Sequence, residues 1–184
     1  ESPFTPFWAH DRAQEKQALE DFIEFVRVRR EKLPDLHIYH YAAYEKSALL
    51  RLAAKHATCE AAVDELLSAG VLVDLYAVVR GAIRVSAPSY SIKKLGPLYM
   101  GDDLREGEVT DAAASIVEYH AYCQARDSGD AEGAAKLLDE IRDYNRYDCE
   151  STRRLRDWLL ERAAEHGVAP RAAEVAGAKP SEVE

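Results

Sequence analysis

Two short apolar segments, separated by helical sequence, constrain the fold of this chain more than any other feature. The segments "LHIYHY" (36–41) and "VLVDL" (71–75) are rich in β-branched and aromatic residues, as buried strands are. The sequence between them repeats apolar residues every three or four positions, which predicts helices at 42–57 and 59–69. Strands that are joined by helices pair in parallel, so we expect a layered, helix-rich α/β fold.

Helical patterns also fill most of the remaining chain. Asp11 is the predicted cap of a helix at 12–32, and Thr58 that of the helix at 59–69. Further helices are predicted at 75–83, 91–99, 111–127 and 131–166. Residues 167–184 lack periodicity and are rich in Ala, Pro and Glu, which predicts a linker or disordered tail after one domain at 1–166.

The number of strands is small for such a fold. The apolar residues 4–8 add one extended segment, which makes about three, whereas a mean sheet has about 5–6 strands. The predicted helices carry more apolar surface than three strands could cover. We therefore expect a domain truncated at its N-terminus, with an exposed sheet edge that could pair two chains into a homodimer.

Charge and cysteine usage exclude some classes of protein. The net charge of −9 argues against nonspecific coating of DNA, because a free-standing nucleic-acid binder presents a basic face. Local basic groups exist at 27–32, at Lys93 and Lys94, and at Arg153, Arg154 and Arg156, and solvated helix faces explain each group better than nucleic-acid contacts do. The three scattered cysteines predict reduced thiols in a cytoplasmic protein. No apolar run approaches the ~18–20 residues that cross a bilayer.

The last long helix carries a carboxylate on the face that should be buried. Its stripe consists of Ile141, Tyr144, Asp148, Thr152, Leu155 and Leu159. An unpartnered charge in a core costs several kcal/mol, about 3–5 when a partner is removed. Asp148 must therefore protonate, find a partner, line a cleft or bind a cation. Tyr144 lies one turn before it on the same face.

Two further acids follow predicted strands. Glu45 comes just after the first strand and begins a stripe with Leu49 and Leu52. It suits either the first turn of a helix, where it complements the dipole, or a ligand position at the carboxyl end of a strand. Asp74 ends the second strand, and capping of the next helix explains it somewhat better than a ligand role.

The order of four motifs resembles one known family. "HIYHYAAYEKSALLRL", "VLVDLYAVVR", "SYSIKKLGPLY" and "YNRYDCESTRRLRDWL" are similar to the RNase H-like (DnaQ-type) exonuclease domain of predicted RecB-family nucleases, which often accompany helicase modules. The resemblance covers about residues 4–162. It implies a three-layer RNase H-like fold and the DEDDy type of 3′–5′ exonuclease, in which four acids and a tyrosine hold two divalent cations, Mg²⁺ or Mn²⁺.

The resemblance implies a role for each matched residue. Asp148 and Glu45 would bind metal, and Tyr144 would orient the attacking water. Asp74 and His40 would support the site. Lys93, Lys94 and Arg146 would contact nucleic acid, and DNA is favoured over RNA. Other domains of the same polypeptide, a nuclease and a helicase, would be further partners in DNA repair.

One motif of that family is absent, the Asp-x-Glu of its first strand. Asp-x-Glu occurs at Asp130–Glu132, where no apolar strand precedes it, and at Asp148–Glu150, inside the last predicted helix; neither lies on a predicted strand. We therefore expect little or no activity from these residues alone. Two other functions stay open: a non-catalytic RNase H-like module that positions nucleic acid, and an α/β interaction domain whose acids pair with arginine.

Overall fold

A computed structural model describes residues 4–86, 88–104 and 112–168 of the chain. The chain divides into two compact units. The first, called here the strand unit, consists of Phe7–Ala82 with Trp158–Glu184. The second, called the helical unit, consists of Glu1–Pro6 with Ile83–Asp157. The predicted extent of one domain at 1–166 stays a prediction, as does the tail, which lies mostly outside the described residues.

The strand unit contains the predicted pair of parallel strands. In chain order its elements are α1 (Arg12–Lys32), β1 (Ile38–His40), α2 (Tyr44–His56), α3 (Glu60–Ser68), β2 (Leu72–Asp74) and α4 (Leu75–Ala82). The strands pair in parallel with Ile38 opposite Leu72 and His40 opposite Asp74. The connection through two helices explains this direction, because parallel strands need a long crossover. The three-layer arrangement stays a prediction.

Apolar faces of the helices form the core of the strand unit. One cluster joins Leu19 of α1, Ala53 of α2 and Val63 of α3. A second cluster joins Val26, Leu66 and Val71 next to the strands. Residues 4–8, the third predicted extended segment, do not join the sheet, which has only two strands in the described part of the chain. Phe7 of this segment instead packs edge-on against the rings of Phe22 and Phe25 on α1.

The predicted cap of α3 is wrong, whereas that of α1 is confirmed. Asp11 accepts a hydrogen bond from the backbone N–H of Gln14, at 2.8 Å. At α3 the N-cap position is Cys59, with no side-chain cap hydrogen bond, and the Thr58 hydroxyl donates to Glu20 on α1 at 2.7 Å. The Thr58 hydroxyl therefore binds a distant helix, although the sequence pattern predicted that it would cap α3.

The helical unit is built around the N-terminal part of one long helix. Its elements are α5 (Ile92–Leu95), two 3₁₀ turns (Gly96–Leu98 and Gly101–Asp103), α6 (Ala112–Ser128) and α7 (Ala131–Glu165), which continues beyond Asp157 into the strand unit. Of the predicted polar loop at 101–110, residues 105–110 lie outside the described part. None of the described helices is long and apolar enough to span a membrane.

Asp130 has a structural role at the start of α7. Its side chain accepts a hydrogen bond from the Gly133 N–H at 2.9 Å, as an N-cap does. The Asp-x-Glu of this turn therefore opens a helix, as its sequence context predicted, and is not on a strand.

Candidate nuclease site

The carboxyl ends of β1 and β2 bring two polar residues of the strand unit to the same edge. The parallel register places His40 directly opposite Asp74. His40 is buried, with 5% of its surface exposed. Residues that follow these strands, including Glu45 in the first turn of α2, start from this edge. Ligands of open α/β sheets bind at such an edge.

Asp74 acts as a structural acceptor there. Its Oδ1 accepts hydrogen bonds from the backbone N–H groups of Tyr76 and Ala42, both at 2.9 Å. The first caps α4, and the second holds the turn after β1, where Ala42 has a positive φ of 67°. The capping interpretation of Asp74 is therefore confirmed, and its supporting role in the site stays a prediction.

Glu45 lies beside His40, but it is not on a buried stripe. The Nδ1 atom of His40 is 2.7 Å from the Ala42 carbonyl oxygen, to which it donates, and 3.7 Å from Glu45 Oε2. Half of the Glu45 side chain is exposed. Glu45 lies in the first turn of α2, a position that the sequence left open, and does not share the packing of Leu49 and Leu52 against the core. The exposed carboxylate is open to a ligand from solvent.

Tyr144 and Asp148 lie on the same face of α7, in the helical unit. Tyr144 is buried, with 9% of its surface exposed, and Asp148 is half-buried. Ile141 and Leu155 are buried on this face as predicted. The predicted stripe needs one correction, because Ser151 is buried where Thr152 was expected. Thr152 is half-buried, and its hydroxyl donates to the backbone carbonyl of Asp148 at 2.9 Å.

The phenol of Tyr99 also lies near this face, and the sequence did not single it out as a site residue. The hydroxyls of Tyr99 and Ser151 are 2.9 Å apart. Burial raises the pKa of the Tyr99 phenol above its ordinary value, with a smaller contribution in the same direction from the charge of Asp148. Two signals could have found this pair: Tyr99 ends the motif that contains the two lysines, and Ser151 falls three residues after Asp148.

The predicted phosphate contacts differ in their surroundings. Lys93 and Lys94 are exposed in α5, in the helical unit. Arg146 is also exposed and forms an ion pair with Asp143, one turn earlier on α7, at 3.3 Å. Exposed pairs of this kind contribute about 0–1 kcal/mol, so the pair would not prevent Arg146 from contacting a phosphate.

Two carboxylates among the described residues are suited to a divalent cation, but the metal-binding side chains of these residues do not form a cluster of three. Among them, no three His, Cys, Asp or Glu side chains lie together in a way that could hold a metal ion. Glu45 belongs to the strand unit and Asp148 to the helical unit. Their oxygen atoms nonetheless fit Mg²⁺ chemically, since this ion takes one or two carboxylates and completes its shell with water and phosphate.

Comparison with known proteins identifies the family of the chain. A family model described as RNase_H superfamily matches residues 1–160. No curated protein and no solved structure matches the chain. The family match spans most of the sequence, including both units of the structure and all the site residues named above. The chain therefore belongs to the RNase H superfamily.

Proposed function

We propose that this protein hydrolyses phosphodiester bonds of nucleic acid with the help of divalent cations. The observation that carries the proposal is the placement of Tyr144 and Asp148 on one face of α7, in a chain of the RNase H superfamily. Asp148 is half-buried on this face, so its carboxylate keeps a contact with solvent through which a cation can reach it. A metal-dependent nuclease needs carboxylate ligands of this kind.

The proposed roles follow the order of the motifs. Asp148 and Glu45 bind the metal ions, Mg²⁺ or Mn²⁺, and Tyr144 orients the attacking water. Two such ions, when bound, activate that water and stabilise the leaving oxygen. Asp74 fixes the turn after β1 through its two backbone hydrogen bonds. Lys93, Lys94 and Arg146 contact the phosphate backbone.

The finer assignment rests on the resemblance of the motifs. It proposes a 3′–5′ exonuclease of DEDDy type that acts on DNA in preference to RNA, in the cytoplasm. It also proposes that the domain works in DNA repair beside the nuclease and helicase domains of a RecB-family protein. Because the present residues include no Asp-x-Glu on a strand, we propose that they cleave slowly or not at all by themselves.

A second candidate is a non-catalytic module that positions nucleic acid. One observation favours it: no group of three metal-binding side chains lies together in the described part of the chain. Such a module would bind nucleic acid through its lysines and would have no affinity for metal at Asp148. The two functions therefore differ in a directly measurable property.

Titration with Mn²⁺ separates these functions. We expect Mn²⁺ to bind the wild-type chain in isothermal titration and in electron paramagnetic resonance. We also expect the Asp148→Asn variant to lose at least 10-fold in affinity, because its amide removes a charged ligand. Asp143→Asn, on an exposed face of the same helix, is the matched control and should bind as the wild type does. Equal affinities for all three proteins would contradict a metal site at Asp148.

A further inference from the structure

The two lysines belong to a segment that is attached to α7 by a tyrosine. This segment, residues 91–104, contains α5 and both 3₁₀ turns, and is called here the lysine segment. The Tyr99 hydroxyl donates to the carbonyl of Ile92 at 3.3 Å and is 2.9 Å from the Ser151 hydroxyl on α7. A single phenol thus connects the backbone just before Lys93 to α7.

The other end of the lysine segment is attached to α7 by separate contacts. Arg154 pairs with Asp103 at 2.7 Å and donates to the carbonyl of Met100 at 3.3 Å. The Tyr147 hydroxyl donates to the carbonyl of Asp103 at 3.2 Å. These contacts hold residues 100–103, whereas the lysines lie at the opposite end of the segment. Leu95, next to Lys94, is fully buried and also anchors this end. Removal of the Tyr99 hydroxyl would therefore loosen the lysine end without detaching it and would leave the C-terminal attachment intact.

The attachment at Tyr99 lies close to the proposed metal ligand Asp148. Ser151 follows Asp148 by three residues, so both lie on one face of α7. Ser151 is buried, with 7% of its surface exposed. If the Tyr99 hydroxyl were removed, the Ser151 hydroxyl would lose a hydrogen-bond partner that water could not readily replace. The hydrogen bond thereby sets the position of the lysine end relative to the Asp148 face.

We propose that Tyr99 is a positioning residue that holds Lys93 and Lys94 beside the Asp148 face, so that both bind the phosphate backbone of the nucleic acid. This inference rests on the proposed function and adds how the substrate is bound. The lysines contact phosphate and not base edges, so recognition by this segment is independent of sequence. The ligand is therefore the phosphodiester backbone of the nucleic acid.

The salt dependence of nucleic-acid binding tests this role. We would measure the fluorescence anisotropy of a labelled single-stranded DNA, and of its RNA counterpart, in EDTA at several salt concentrations. Each lysine–phosphate contact contributes about −0.7 to the slope of log K against log salt for single strands. We expect Tyr99→Phe to weaken binding about 3- to 10-fold at low salt, as the loss of one hydrogen bond would, and to make the slope less steep by up to about 1.4.

The matched control is Tyr90→Phe. Tyr90 lies in the same unit, and its hydroxyl donates to the carbonyl of Ile83 at 3.4 Å. This variant should keep both the affinity and the slope of the wild type. In a background of Lys93→Ala with Lys94→Ala, Tyr99→Phe should change neither quantity, because the groups that it positions are gone. A general loss of structure would instead weaken binding equally in both backgrounds.

Hydrogen exchange provides a reading that does not depend on the ligand. The amides of Lys94 and Leu95 both donate to the carbonyl of Ser91, and Tyr99→Phe should speed their exchange without a change at α6. Unchanged exchange, or a variant that binds with the wild-type slope, would overturn the role of Tyr99 alone. A wild-type chain that binds neither DNA nor RNA would contradict the proposed function itself, and the inference with it.

Discussion

At the scale of single residues, Asp74 shows how one acid at a strand end can fix the backbone of two neighbouring segments. One oxygen of its carboxylate accepts two backbone hydrogen bonds, one in α4 and one in the turn that leads from β1 to Glu45. The turn contains Ala42 in a left-handed conformation, which is unfavourable for alanine. The Asp74 carboxylate therefore helps to hold a strained turn just before Glu45, the candidate metal ligand.

Replacement of Asp74 should destabilise the strand unit. We expect Asp74→Ala to lower the free energy of unfolding by about 1–3 kcal/mol, because two half-buried N–H groups lose their acceptor. Asp74→Asn should lose less, since its amide oxygen still accepts. Urea denaturation measures both values. Asp64→Ala, an exposed position on α3, is the control and should stay within about 0.5 kcal/mol of the wild type. An equally small effect at Asp74 would argue against its structural role.

At the scale of elements, α7 combines a buried face with ion pairs on its outer surface. Glu150 accepts hydrogen bonds from Arg153 at 2.6 Å and from Arg154 at 2.8 Å, three and four residues later. Arg153 and then Arg154 lower the pKa of the Glu150 carboxyl from 4.5 to about 2. Since Arg154 also pairs with Asp103, this network connects the surface of α7 to the lysine segment.

The depressed pKa of Glu150 predicts how stability depends on pH. A carboxylate with a lowered pKa stabilises the folded state above pH 4.5, and this contribution is lost as the pH falls towards about 2. We expect the free energy of unfolding of the wild type to exceed that of Glu150→Gln by less than about 1 kcal/mol at pH 7. The difference is small because the ion pairs of Glu150 are partly exposed and screened by solvent.

The difference between the two proteins should vanish near pH 2, as followed by urea denaturation at several pH values. Glu161→Gln, at an exposed position on the same helix, gives the effect of a lost charge alone. A difference between wild type and Glu150→Gln that stays constant down to pH 2 would contradict the ion-pair explanation.

At the scale of the whole molecule, the sheet is the smallest part of the fold. Its two described strands have three residues each, and a sheet of two strands has an outer edge on either side. Strand edges carry backbone groups that can pair with another chain. The charge of −9 opposes association, but salt screens charges that are more than about 8 Å apart at physiological ionic strength.

We therefore predict that two chains associate through the sheet at high protein concentration. Size-exclusion chromatography with light scattering should show a mass that rises from one chain towards two as the concentration increases. Higher salt should strengthen this association, because it screens the repulsion between two acidic chains. A mass of one chain at all concentrations and salt levels would contradict the prediction.

Much of the fold was predictable because its signals are local. The apolar period of three to four residues located the helices, and α7 ends within one residue of its predicted end. Short β-branched segments located β1 and β2, and the helices between them predicted their parallel pairing. The cap at Asp11 is equally local, since its acceptor and donor are three residues apart. The cap predicted at Thr58 was wrong because a residue 38 positions away takes its hydroxyl.

The candidate site was predictable to the same local extent. Helix geometry alone placed Tyr144 and Asp148 on one face, and the structure agrees. The spacing of Glu45 from Leu49 and Leu52 did not indicate that half of its side chain is exposed, because burial depends on what lies opposite a side chain and not on its period along the helix. Tyr99 was missed since its partner, Ser151, is 52 residues away.

The sequence by itself thus determined which segments are helices and strands, the direction of strand pairing and the acids that merit attention. These properties depend on neighbours within one or two turns of the chain. Only the tertiary structure decided that Asp74 also holds the turn after β1, that Glu45 is exposed, and that Tyr99 attaches the lysine segment to α7. These properties depend on contacts between distant residues, and a periodic pattern carries no information about which distant side chain will be opposite.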